Sequence, residues 1–132
     1  MERLKERLAV ARQALGTLQE ISKLTKTAIV RDAAIQRFEY TFEAVWKAAQ
    51  MYLRAAESLD AGSPKSVIRA SFRVELLTEE QTRKAMAMAD DRNLTVHTYN
   101  EFLADAIYSR IAGHAVIMEA WLAATEDRIR KI

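Results

Sequence analysis

A stripe of apolar residues at helical spacing runs through residues 28–58 and constrains the fold more than any other feature of the sequence. Its members recur every three or four positions, at Ile35, Phe38, Phe42, Val45, Ala49, Tyr52 or Leu53, and Ala56. This spacing places them on one side of an α-helix. Because the chain of 132 residues has only three glycines and one proline, few positions interrupt such helices. The sequence therefore predicts long α-helices joined by short connections.

The strongest break in the chain follows this stripe, at residues 60–64. Gly62 is predicted to end the second helix in the left-handed conformation. Ser63 is predicted to cap the third helix, with Pro64 at its first position, where a missing N–H costs nothing. Before the stripe, apolar residues at the same spacing predict a first helix over residues 2–22.

Two capping boxes mark the starts of two more helices, Thr78 with Gln81 and Thr98 with Glu101. They predict a short fourth helix that runs to about residue 89 and a long fifth helix that runs to about residue 130. We therefore expect an all-α fold, an up-and-down bundle of four to five helices that forms a single domain over residues 1–132.

Composition narrows the class of protein. Half of the residues are apolar and 29% are charged, as in a globular chain, and the net charge is +2. Without cysteine, a disulfide framework and a thiolate metal site are excluded. No run of 18 apolar residues occurs, and the charged N-terminus lacks the apolar region of a signal peptide. The sequence thus predicts a cytoplasmic protein without a membrane partner.

The residues that carry chemistry are concentrated between Asp90 and Tyr99, before the last helix. Arg92 offers a permanent cation whose planar fork matches phosphate oxygens. The imidazole of His97 is a side chain that can give or take a proton in a reaction. Together they suit attack on a phosphodiester, and RNA supplies its own nucleophile, the 2′-hydroxyl, so that the reaction needs no metal. No metal-ligand spacing accompanies the two histidines, and no metal site is predicted.

Arg92 and His97 do not share a face of a continuous helix, because positions five apart lie about 140° apart around the axis. One solution is a bend of the chain between them, which the capping signal at Thr98 favours. The other is a two-fold dimer, in which a second copy of the chain supplies the partner group.

Structural interpretations of the same residues stay open. An arginine and a histidine in a helix connection usually cap or tie helices, and His114, in the middle of a helix without a partner, is interpreted as structural. Three charged residues of the second helix, Arg31, Arg37 and Glu39, either belong to a solvated surface or line a path for RNA and support the site.

The sequence Arg92-Asn93-x-x-x-His97-x-Tyr99 resembles the Arg-x4-His-x-Tyr motif of the HEPN superfamily. Within that superfamily, the chain is similar to the nucleotidyltransferase substrate-binding (HepT-like) family. Supporting blocks occur at 31–43, Trp46-Lys47, Ser63-Pro64-Lys65, Ile68-Arg69 and 91–99. The resemblance covers about residues 4–125. Arg-x4-His alone is a weak signal, but the accompanying blocks make it specific.

The resemblance implies a homodimeric toxin, a metal-independent endoribonuclease without a cofactor, with the motif near the dimer interface. It assigns catalysis to Arg92 and His97, support of the site to Asn93, and a modification to Tyr99. The modifying enzyme would be a small cognate nucleotidyltransferase, which acts as antitoxin by adding AMP to the tyrosine. Two alternatives remain: a non-catalytic subunit that presents a substrate to a nucleotidyltransferase, and a helical dimerisation module in which Arg92 and His97 only tie helices together.

Overall fold

The computed structural model describes residues 1–132 and contains α-helices, one short 3-10 helix and no strands. The elements are α1 (Glu2–Ile21), α2 (Ala28–Glu57), α3 (Pro64–Arg73), α4 (Glu79–Leu94), the 3-10 turn Thr95–His97, and α5 (Glu101–Arg130). The predicted all-α class is confirmed. No helix combines the length and the apolar character needed to cross a membrane.

The three longest helices, α1, α2 and α5, pack against one another, and α3 and α4 cover the remaining side of α2 and α5. Helices α2 and α5 run in the same direction, since Arg31 meets Glu101 near both N-termini and Arg128 meets Glu57 near both C-termini. Helix α1 is antiparallel to α2, and α4 is antiparallel to α5. The predicted up-and-down bundle is therefore confirmed.

One apolar cluster fills the space between the helices. It contains 32 buried residues, and its largest fully buried side chains include Phe38, Phe42, Met118 and Trp121. Burying each side chain of this size contributes about 1.5–3 kcal/mol. The stripe predicted for α2 is buried from Ile35 to Leu53, whereas Ala56 is exposed near the end of the helix.

Two predicted helix starts are present. The Ser63 hydroxyl accepts a hydrogen bond from the Ser66 N–H, and Pro64 occupies the first turn of α3. The Thr78 hydroxyl accepts from the Gln81 N–H, while the Gln81 side chain accepts from the Thr78 N–H. Both helices thus begin where their capping residues satisfy backbone donors that have no partner within the helix.

Three predicted boundaries are wrong. Ser58, not Gly62, adopts the left-handed conformation that ends α2, with φ of 56°. Helix α4 continues to Leu94 rather than to residue 89, and the added turn buries Asp91 against Arg110 and His114 of α5. Helix α5 starts at residue 101, where the Asn100 side chain accepts from the Leu103 N–H and takes the capping role predicted for Thr98.

Candidate functional site

The end of α4 and the turn that follows it hold the motif. The helix ends at Leu94, and the chain passes through the 3-10 turn before α5 begins. Thr95 is buried at this junction, and its hydroxyl donates to the carbonyl oxygen of Arg92 at 2.7 Å. The hydroxyl of Thr98 donates in turn to the Thr95 carbonyl at 2.9 Å. The chain therefore leaves the α-helix between Arg92 and His97, as the capping signals indicate.

The Arg92 guanidinium keeps most of its donors free. Its Nη1 donates to Thr95 Oγ1 at 3.2 Å and lies 3.9 Å from a carboxylate oxygen of Glu39, and its Nε is buried without a partner. Arg12, by contrast, is bonded through both sides of its fork to two glutamates of α5. A buried donor without a partner costs about 1–3 kcal/mol, and such groups recur where a ligand or catalytic role retains them. Nε itself is out of reach of a ligand, so the groups that Arg92 can offer to an anion are the remaining N–H donors of its two Nη atoms.

His97 and Tyr99 both face solvent next to each other. Their ring centroids are 6.0 Å apart with the rings nearly perpendicular, and 82% of Tyr99 is exposed. Neither side chain makes a hydrogen bond within the chain, and no hydrogen bond joins His97 to Arg92. The imidazole and the phenol are thus accessible to a second molecule, a requirement for both proton transfer and modification.

Asn93 lies with Arg92 at the wall of a cavity of about 330 Å³ between α2, the start of α3 and the end of α4. His97 and Tyr99 lie outside this wall. The structure therefore divides the motif in two: the cation and the carboxamide face a cavity, whereas the imidazole and the phenol face open solvent.

A buried carboxylate anchors the turn of α4 that carries Arg92. Asp91 accepts two hydrogen bonds from Arg110 at 2.8 Å each, and its Oδ2 lies 2.7 Å from Nε2 of His114. Burial by itself raises the pKa of Asp91, but the hydrogen bonds from Arg110 and then His114 outweigh it and lower that pKa below the usual aspartate value. His114 also stacks on Phe38, with ring centroids 5.2 Å apart. This cluster fixes α4 to α5 directly beside Arg92.

The sequence does not predict this cluster. The structural interpretation of His114 agrees with its burial, but it gave the imidazole no partner. A signal was present: Arg110 and His114 are four residues apart, so that they share one face of α5. The acidic member of the cluster, Asp91, lies directly before Arg92 in the sequence. Only the packing of α4 on α5 brings Asp91 into contact with Arg110 and His114.

The three charged residues predicted on α2 have different surroundings. Arg31 is only 4% exposed and donates to Asp32, Glu101 and Asp105, so the solvated-surface interpretation is wrong for it. These hydrogen bonds, first that of Glu101, raise the pKa of Arg31. Because three carboxylates already surround its charge, Arg31 has little left for a phosphate.

The other two charges are half-buried. Arg37 donates to the Thr17 carbonyl at 2.8 Å and ties α2 to α1. Glu39 is the one of the three that reaches the motif, at 3.9 Å from Arg92. This distance is at the outer limit of an ion pair, so Glu39 balances the guanidinium without saturating it.

Exposed apolar side chains lie within and next to the motif in the sequence. Val96, Tyr99 and Phe102 are 67%, 82% and 84% exposed and lie within seven consecutive residues. Exposed apolar side chains that cluster, rather than occur singly, mark contact surfaces.

Comparison with known families matches the chain over nearly its whole length. Residues 6–127 match the family model described as "Nucleotidyltransferase substrate binding protein like". A Haemophilus influenzae protein described as a probable ribonuclease HepT is 32% identical over 92 residues. That match spans 64% of this chain and 62% of the relative, less than two thirds of its length.

Solved structures share the fold. The crystal structure of a Thermus thermophilus protein has 54% sequence identity and a TM-score of 0.84, and the match covers 87% of this chain and 98% of the other. A tri-AMPylated Shewanella oneidensis HEPN toxin, in complex with an MNT antitoxin, has a TM-score of 0.74 at 17% identity, with 94% and 96% of the chains covered. At that identity the likeness concerns the fold alone. On the family match over residues 6–127, the chain belongs to the nucleotidyltransferase substrate-binding protein family, the HepT-like group that its motif predicts.

Proposed function

We propose that this chain is a cytoplasmic, homodimeric toxin that cleaves RNA without a metal ion, using Arg92 and His97, with Asn93 in support. The observation that carries the proposal is the unsaturated guanidinium of Arg92, five residues before an exposed imidazole without a partner. A structural tie would join these groups to other protein atoms, as Arg31 and His114 are joined. The relative described as a probable ribonuclease supports the same activity.

The chemistry follows from the two groups. Neutral His97 accepts the proton of the 2′-hydroxyl while its oxygen attacks phosphorus, so that a P–O2′ bond forms and the P–O5′ bond breaks. The products are a 2′,3′-cyclic phosphate and a 5′-hydroxyl, whose oxygen takes up a proton. Arg92 stabilises the charge that develops on the phosphate oxygens of the transition state. No electron transfer and no external nucleophile are required.

A second copy of the chain completes this scheme. In-line attack puts the nucleophile and the leaving group on opposite sides of phosphorus, so one imidazole serves only one of them. In a two-fold dimer a second His97, in its protonated imidazolium form, is available to give its proton to the leaving 5′-oxygen. The exposed apolar side chains of Val96 and Phe102, beside His97, support a dimer contact at the motif.

The partner of the toxin is a small nucleotidyltransferase that acts as its antitoxin. In the transfer, the Tyr99 hydroxyl oxygen attacks the α-phosphorus of ATP, a tyrosyl–AMP bond forms, pyrophosphate leaves with the electron pair of the broken bond, and the phenol proton passes to solvent. The exposure of the Tyr99 phenol supports this role. The added AMP carries bulk and negative charge to the position two residues from His97, where it competes with the RNA phosphate.

The deciding experiment is cleavage of RNA by the purified protein with a chelator present, wild type against His97→Ala. Loss of the general base should slow cleavage by about 10²–10⁴-fold, and the variant should keep the wild-type melting temperature because His97 is exposed and unbonded. Wild-type cleavage by His97→Ala, or activity that disappears with the chelator, contradicts the proposal.

The second candidate is a non-catalytic subunit that presents a substrate to its nucleotidyltransferase. The description of the matched family, a substrate-binding protein, favours it. In that case the chain alone cleaves no RNA, and its addition accelerates nucleotidyl transfer to a separate acceptor. Accelerated transfer that persists in a Tyr99→Phe variant distinguishes a presented substrate from modification of the chain itself.

A further inference from the structure

Two cations line the cavity next to the motif. Arg92 and Asn93 face it from the end of α4, and Lys65 faces it from the first turn of α3. At about 330 Å³ its volume is at the lower end of the range for ligand pockets, about 300–1,000 Å³, which suits one nucleotide. The proposed cleavage chemistry uses Arg92 but leaves Lys65 without a role.

The Lys65 ammonium forms an ion pair that contributes little free energy, so a ligand can replace it. Its Nζ lies 2.6 Å from Oδ1 of Asp90, and the two side chains are 43% and 62% exposed. An ion pair this exposed contributes about 0–1 kcal/mol, because water and salt screen it. A phosphate can therefore replace Asp90 as the acceptor of the Lys65 ammonium at little cost in free energy.

The charges around the cavity favour an anion. One carboxylate, that of Glu43, also lines it, but this group accepts a hydrogen bond from Trp46 at 3.2 Å and pairs with Lys47 at 3.5 Å. The Arg92 guanidinium makes a single hydrogen bond, from Nη1 to Thr95, and its remaining Nη donors have no partner. Two cations and a carboxamide therefore line the cavity together with one paired carboxylate, while the carboxylates that partner the two cations, Asp90 and Glu39, lie outside its lining.

We infer that Lys65 binds the phosphate of the nucleotide next to the scissile bond, and that this cavity is a nucleotide subsite of the RNA-binding surface. The inference rests on the proposed ribonuclease function, to which it adds a positioning residue. RNA carries one phosphate per nucleotide, so a cation that shares a cavity with Arg92 is placed for the neighbouring phosphate rather than for the reacting one.

Binding can be measured without cleavage by using a short 2′-O-methyl oligoribonucleotide, in which the nucleophilic 2′-hydroxyl is blocked. Fluorescence anisotropy at several salt concentrations gives the affinity and its salt dependence. Lys65→Gln should weaken binding roughly ten-fold, as expected for loss of a hydrogen bond to a charged group. It should also reduce the slope of log K against log salt by about 0.7, the value for one phosphate contact on a single strand. Lys65→Arg should restore both.

Two controls separate this role from a structural one. Asp90→Asn breaks the pair with Lys65 but keeps the ammonium, so it should bind RNA at least as tightly as wild type. Lys84→Gln removes an exposed lysine of α4 that pairs with Glu80, outside the cavity, and should leave the affinity within about two-fold. Melting temperatures of all variants should match that of the wild type.

Three results overturn the inference: no binding of the oligoribonucleotide, a wild-type salt slope for Lys65→Gln, or equal weakening by Lys65→Gln and Asp90→Asn. Cleavage of unmodified RNA is scored separately. A wild-type protein that does not cleave but shows the expected slopes refutes the nuclease and leaves Lys65 as a contact to a phosphate of bound RNA. A protein that cleaves while Lys65→Gln keeps the wild-type KM and slope refutes the subsite alone.

Discussion

Oδ2 of Asp91 and Nε2 of His114 lie 2.7 Å apart in the interior of the bundle, and this contact joins the middle of α5 to the helical turn that carries Arg92. Arg110 holds the same carboxylate from the solvent side. The contact explains how an arginine near a helix end can be positioned without saturating its own donors. Asp91, the neighbouring residue, fixes this turn of the helix to α5, so that the Nη donors of Arg92 stay available.

Removal of the Asp91 charge should destabilise the fold. In Asp91→Asn, His114 and Arg110 lose an ionic acceptor, and because Arg110 is half exposed and can turn to water, we expect a loss of about 1–3 kcal/mol at neutral pH. Urea unfolding measures it. Asp90→Asn, one residue earlier and exposed, is the matched control and should change stability by less than about 1 kcal/mol. Equal effects of the two substitutions contradict the anchoring role.

The same contribution should depend on pH in a defined direction. The pKa of Asp91 is lower in the folded than in the unfolded chain, so its stabilisation is complete above the usual aspartate value of 3.8 and is lost as the pH falls through the folded-state pKa. The stability difference between wild type and Asp91→Asn should therefore be constant at neutral pH and shrink below about pH 4. Unfolding curves between pH 2 and 7 measure this, and a difference that grows on acidification refutes it.

The shape of the Arg92 fork, not only its charge, should matter for cleavage. Arg92→Lys keeps a cation but loses the planar pair of donors, and we expect the cleavage rate to fall on the order of 10²-fold. Arg83→Lys, at an exposed arginine of α4 that pairs with Glu80, is the control and should cleave as wild type does. Single-turnover kinetics with both variants decide; a fully active Arg92→Lys removes the guanidinium from the mechanism.

Modification should be confined to the motif tyrosine. With the cognate nucleotidyltransferase and ATP, wild type should gain AMP and lose RNA cleavage, whereas Tyr99→Phe should gain none and remain active in its presence. Tyr40 is also exposed, at 42%, so Tyr40→Phe is a matched control and should be modified like the wild type. Intact mass and cleavage are measured on the same samples. Full cleavage by the AMP-bearing protein contradicts this mode of neutralisation.

A charge in the apolar surface beside the motif should dissociate the proposed dimer. Phe102 is 84% exposed on the first turn of α5, and Phe102→Glu should shift the protein to monomer and reduce cleavage, since a monomer offers one imidazole to each phosphate. Val116→Glu introduces the same charge 14 residues further along α5, about 21 Å away, and should leave the dimer intact. Analytical ultracentrifugation reports the state. A wild-type protein that is already monomeric and active excludes the dimeric scheme.

The helices of this protein follow from local rules. The apolar stripe of α2 and the capping residues Ser63 and Thr78 act within a few positions of the chain, so the sequence predicts them and the structure confirms them. The wrong boundaries lie where two local signals compete. Asn100 and Thr98 are both good capping residues, and the turn that starts at Thr95 decides between them, because it uses the Thr98 hydroxyl to bond the Thr95 carbonyl.

Some features of the candidate site could be predicted from the sequence, and others depend on the packing of the helices. The all-α class could be predicted from residue type and spacing, and the family and the four motif residues from Arg92 to Tyr99 from the resemblance of the sequence to a known motif. The burial of Arg31 in an ion-pair network, the attachment of Asp91 to α5 and the cavity that Lys65 shares with Arg92 became visible only in the packed bundle. These contacts join residues 19–74 positions apart, and helix packing brings such residues together through the burial of the whole core, which no local spacing encodes.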